Sequence, residues 1–121
     1  MTWLALVLAC AQLGGLQELD ALPADFPLAL SAPLGQITTS GGGQVAVDLV
    51  FETEEEARAG WEGLREQALA AGFAQVDAGK VGKRDRVVFT GPRGRLEVSC
   101  CPKRADTAVL VFVSWWAPKA P

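Results

Sequence analysis

The stretch TEEEARAGWEGLREQALAAGF, residues 53–73, carries the start, the face and the stop of one amphipathic helix. Thr53 is the N-cap, and Glu56 three residues on completes a capping box. Glu54 and Glu55 fill the first turn, where unpaired backbone N–H groups favour negative charge. At 3.6 residues per turn Ala57, Trp61, Leu64, Ala68 and Ala71 fall within about 80° of one face. Gly72 supplies a left-handed stop, with Phe73 as its hydrophobic partner. Gly60 flanks the stripe and lets the helix sit close to its neighbour. A helix with one apolar stripe needs a second layer to cover it.

The flanking sequence supplies that layer as strands. Upstream, Gln44 to Phe51 alternates, with Val45, Val47, Leu49 and Phe51 on one face and Gln44, Ala46 and Asp48 on the other. Gly35 to Ser40 pairs with it as a hairpin across Gly41-Gly42-Gly43. Downstream, Phe73 to Asp77 reads as a short strand and Ala78 to Lys83 as a loop. Arg84 to Thr90 is a strand, closed by the turn Gly91-Pro92-Arg93-Gly94. Arg95 to Cys101 alternates with Leu96, Val98 and Cys100 inward. Thr107 to Trp116 is a nearly continuous apolar run, the mark of a central strand. The expected fold is α+β: a single antiparallel sheet of about five to six strands in the order ββαββββ, with one helix on one face.

The expected organisation is a signal-like segment at 1–11, a linker or entry segment at 12–33, the domain at 34–116 and a tail at 117–121. The start, MTWLALVLACAQ, is uncharged and too short for a bilayer span of about 20 apolar residues. It fits the apolar centre of a secretory signal. Val7-Leu8-Ala9-Cys10 resembles a lipobox, with Cys10 as the lipidated residue. Ala9-Cys10-Ala11 also reads as a cleavage site ahead of Gln12. No Lys or Arg precedes the run, so a short N-terminal helix of a cytoplasmic protein is the alternative. The expected address is therefore the bacterial cell envelope, whether secreted, periplasmic or lipid-anchored.

The entry segment and the helix together resemble a type of small, uncharacterised bacterial secreted protein or lipoprotein. Its features are a Pro-rich entry close to "lPxDfPlP" and a helix ending in a Gly-aromatic pair. The matching positions are Leu22, Pro23, Asp25, Phe26, Pro27 and Leu28, then Leu64, Gly72 and Phe73. Ala29 departs from it where Pro is usual, and Trp61 where Tyr is frequent. The resemblance implies an envelope address and a helix-on-sheet fold, and no activity.

Composition narrows the chemistry. The 121 residues contain no His and no Tyr. Without His there is no neutral-pH general base of the usual kind, no Ser-His-Asp or Cys-His arrangement, and no imidazole metal ligand. No nucleophile motif or metal-ligand spacing appears, so no catalytic residue, metal site or cofactor is expected. The acid run Glu52, Glu54, Glu55, Glu56 is explained by the helix cap and dipole. Cys100-Cys101 reads as two thiols on opposite faces of a strand, with a disulfide as the competing reading.

Net charge is −3, yet all eleven basic residues lie from Arg58 onward. Lys80, Lys83, Arg84, Arg86, Arg93, Arg95, Lys103 and Arg104 are candidates for one face toward an anionic partner, with a solvated, counter-charged surface as the plainer reading. Trp115 and Trp116 are candidates for an exposed contact, one indole on each side of the last strand. Few aromatics interleave the basic cluster, which disfavours nucleic acid. The expectation is a non-enzymatic envelope domain that binds another protein or an anionic surface, meeting the membrane only through a lipid anchor. A cytoplasmic regulatory or binding module is the alternative.

Overall fold

The computed structural model describes residues 16–40, 43–103 and 108–118. Its elements are β1 (Leu16–Glu18), β2 (Leu34–Ser40), β3 (Gln44–Phe51), α1 (Glu54–Ala70), β4 (Ala74–Val81), β5 (Arg84–Gly91), β6 (Gly94–Lys103) and β7 (Val109–Trp116). They form one antiparallel sheet of seven strands, in spatial order β1-β2-β3-β7-β6-β5-β4, with the helix on one face. The expected count of about five to six strands is corrected to seven.

The additional strand is β1, inside the stretch read as linker. It pairs with β2 through Leu16↔Ser40, Gln17↔Thr39 and Glu18↔Thr38. Main-chain hydrogen bonds place so short an edge strand, and three residues carry too little alternation to announce it. β4 also outruns its expected end. It continues through Ala78, Gly79 and Lys80 to Val81 and turns back at Gly82-Lys83. All eight of its residues are exposed, so no buried face stamped a period-two pattern on it.

The helix forms as its caps dictate. Thr53 Oγ1 accepts from the Glu56 N–H at 3.1 Å. At the other end Phe73 N donates to Ala68 O at 3.0 Å and Gly72 N to Leu69 O at 3.2 Å, the paired bonds of a Schellman stop, with Gly72 at φ 93°. Ala57, Trp61, Leu64 and Ala68 are buried against the sheet. Opposing them are Val47, Leu49, Val87, Phe89, Leu96, Val98, Val111 and Val113, all nearly or wholly inaccessible. The Trp61 indole N–H donates to the Val98 carbonyl at 3.1 Å, which ties the helix to a central strand by a polar contact inside the core.

Cys100 is fully buried and Cys101 partly so. The Cys100 and Cys101 sulfurs lie side by side across a cis peptide, where the sequence reading had them on opposite faces of the strand. That reading assumed a regular strand through Cys101. The β6–β7 ladder instead shifts register between Cys100 and Lys103. Among the described residues no helix is long and apolar enough to cross a membrane.

Candidate functional site

The sheet presents two different surfaces, and strand parity decides what stands on each. Cross-strand partners Val87↔Val98 and Val98↔Val113 lie under the helix. Their neighbours Arg86↔Ser99, Val88↔Glu97 and Thr90↔Arg95 therefore occupy the other side, as do Ser99↔Phe112, Glu97↔Ser114 and Arg95↔Trp116. No described helix covers this open face.

Three guanidinium groups lie across it. Arg84 sits over the Phe112 ring at 5.6 Å, and Arg95 over the Trp116 ring at 5.1 Å. Arg86 pairs with Glu97 at 3.1 Å and Asp77 at 3.6 Å; Arg95 also meets Glu97 at 3.1 Å. A recess of about 240 Å3 beside Arg84 and Arg86 is bordered by Asp48, Glu97, Ser99 and Phe112. The rings and carboxylates give each of these guanidinium groups a partner on the sheet, and such part-exposed pairs each contribute at most about 1 kcal/mol.

The expected basic cluster is thus only partly assembled. Arg84, Arg86 and Arg95 share the open face. Lys83 and Arg93 sit in turns at opposite ends of β5. Lys80 is the partner of Asp85, whose carboxylate bonds Arg58 of the helix at 3.0 Å, so Lys80 belongs to the helix side. Donating that hydrogen bond to Asp85 raises the Arg58 pKa above its ordinary value; desolvation opposes the shift, and the charges of Asp85 and Glu54 add to it. The Lys103 side chain, Arg104 and Cys10 lie outside the described residues. Trp115 is buried: its indole donates to Arg93 O at 2.9 Å, and Phe26 meets it edge-on at 5.7 Å. Trp116 is partly exposed beneath Arg95.

A second concavity was not foreseen. On the helix side, a cleft of about 470 Å3 opens between α1, the end of β3 and residues 29–33 of the entry segment. Its strap is pinned at both ends. The Gln67 side chain accepts from Ala29 N at 2.9 Å and donates to Ala29 O at 2.8 Å. Beyond it, Val50 N donates to Pro33 O at 3.0 Å. Leu30, Phe51 and Leu64 give apolar walls; Glu52 and Glu56 are exposed lining residues; among the described residues no Lys or Arg lines it.

Two helix glycines border this cleft with opposite roles. A Cβ on Gly60 would lie 2.6 Å from Phe51 Cζ, whereas one on Gly63 would meet nothing within 4 Å. Gly60→Ala is expected to destabilise by about 1–2 kcal/mol, the overpacking cost less the helix-propensity gain. Gly63→Ala is expected to stabilise by about 0.5–1 kcal/mol, because only the propensity term acts. Urea denaturation of both variants checks the difference in sign. The signal available in the sequence was the Gly60/Gly63 spacing on the flank of the stripe.

Among the described residues no three His, Cys, Asp or Glu side chains group as a metal site. No known family model, curated protein or solved structure matches the chain.

Proposed function

We propose that this chain is a non-enzymatic binding domain of the bacterial cell envelope, and that its open sheet face docks an acidic protein partner. The observation that carries the reading is the placement of Arg84 and Arg95 over Phe112 and Trp116, with Arg86 between them. Arg and Trp are the side chains most enriched among contacts that dominate protein interfaces. Guanidinium groups already held by ring and carboxylate contacts lose less freedom on meeting a further carboxylate, and their planar fork suits it. A protein partner is favoured over a uniform anionic surface because Asp77 and Glu97 interrupt the positive charge on this face. The envelope address rests on the apolar N-terminal run and Cys10.

The test places a photo-crosslinking residue at exposed Thr90 on the open face, and another at exposed Leu69 on the helix, in cells that produce the protein. A cross-link to an acidic protein from position 90 is expected, with none from position 69. Arg84→Glu with Arg95→Glu should lower its yield at least about tenfold, since like charge then faces the partner. Equal cross-linking from both positions, or a yield unmoved by charge reversal, would sink the reading. Mass spectrometry of the same purified protein decides the address: a start at Gln12 or a lipid on Cys10 supports export, and an intact Met1 overturns it.

A further inference from the structure

The cleft between α1 and the entry strap is independent of the open face, and its chemistry is different. Its volume of about 470 Å3 falls within the roughly 300–1,000 Å3 typical of small-ligand sites. The walls are apolar, from Leu30, Leu49, Phe51 and Leu64, while the ionisable side chains lining it are Glu52 and Glu56, both exposed and both acidic. Gly63 leaves open space where any other helix residue would project a side chain. The strap that closes the far side is held by the two Gln67 bonds and the Pro33–Val50 bond, so the concavity is built by specific contacts.

We propose that this cleft is a binding site for a small amphipathic cation: an apolar body of drug-like size carrying one ammonium or amine group. The body lies along Leu64 and Phe51 in the space beside Gly63, and the cationic head meets Glu52 and Glu56. Burial of the body supplies most of the affinity, in proportion to the apolar area removed from water. The carboxylates supply the choice of charge: an anion of the same shape faces repulsion, and a neutral analogue gains nothing at the head. Head-group attraction between exposed charges also weakens with salt.

Titration calorimetry of the whole chain with decyltrimethylammonium, below its micelle-forming concentration, tests the site. Saturable binding at a single site is expected, and decyl sulfate should bind at least about tenfold more weakly. Gly63→Leu, which projects a side chain into the cleft, should abolish binding, with a thermal melt confirming that the variant folds. Glu52→Gln with Glu56→Gln changes only exposed carboxylates; it should narrow the preference for decyltrimethylammonium over decyl sulfate to within about threefold and remove the salt dependence. Absence of saturable binding, equal binding of decyl sulfate by the unmodified chain, or binding that survives Gly63→Leu would each overturn the proposal. If Gly63→Leu does not fold, the double carboxamide variant decides: an unchanged preference for the cation refutes the site. None of these outcomes bears on the open-face cross-link, so the two readings stand or fall separately.

Discussion

Trp61→Ala is expected to lower the stability of the domain by about 3–5 kcal/mol, the range for emptying a buried aromatic site. Trp61 stands at the middle of the only apolar stripe on α1, is 8% exposed, and is flanked by Ala57, Leu64 and Ala68. Two further contacts depend on it. Its indole N–H satisfies the Val98 carbonyl, which would lose that partner in the core. The Arg65 guanidinium lies over its ring at 5.1 Å and would lose that support. Trp61→Phe separates the parts: it keeps most of the volume, removes the N–H, and should cost about 1–2 kcal/mol. Equilibrium urea denaturation of both variants is the measurement. A loss below about 1 kcal/mol for the alanine variant would mean that the helix is anchored elsewhere.

Gly94→Ala should destabilise by about 3 kcal/mol or more, though a single methyl group is added. Gly94 opens β6 at φ 111°, a conformation that L side chains rarely adopt. A Cβ there would collide with the Trp116 main-chain oxygen and crowd Trp115 Nε1 at 3.1 Å. The main-chain obstacle cannot rotate aside, so the ends of β6 and β7 must part. Gly43→Ala is the control, with φ 82° but nothing within 4 Å of the added carbon. Its cost should stay near the roughly 1–2 kcal/mol of the left-handed backbone alone. Denaturation curves giving equal losses for the two would show that the approach of Gly94 to Trp116 is not close in solution.

The parts of this fold that could be read from sequence are those where burial imposes a period. Thr53, Ala57, Trp61, Leu64, Ala68 and Gly72 specify a helix that the structure places within a residue of its expected ends. Val45, Val47 and Leu49 do the same for β3. Where burial is absent the pattern is absent, and β4 was cut short for that reason, whereas β1 is too short to show a period. The basic residues illustrate the same limit. Lys80 and Arg84 are close in sequence, yet they leave opposite sides of the sheet because the turn at Gly82-Lys83 sets Lys80 against Asp85. The cleft had no legible signal beyond two glycines, since its strap is positioned by Gln67, a polar helix residue whose partner lies far away in sequence.

The sheet is joined at its middle by the two paired strands that lie farthest apart in sequence. β2–β3 and β4–β5–β6–β7 are each local meanders, but β3 pairs with β7 along its whole length, from Gln44↔Trp116 to Phe51↔Val109. That ladder closes a loop containing the helix and three strands, and the entropy of closing it precedes any reward from the pairing. Folding speed should therefore be governed by this one closure, and mutations within the β3–β7 ladder should slow folding, whereas changes at the β4 edge should act chiefly on the rate of unfolding.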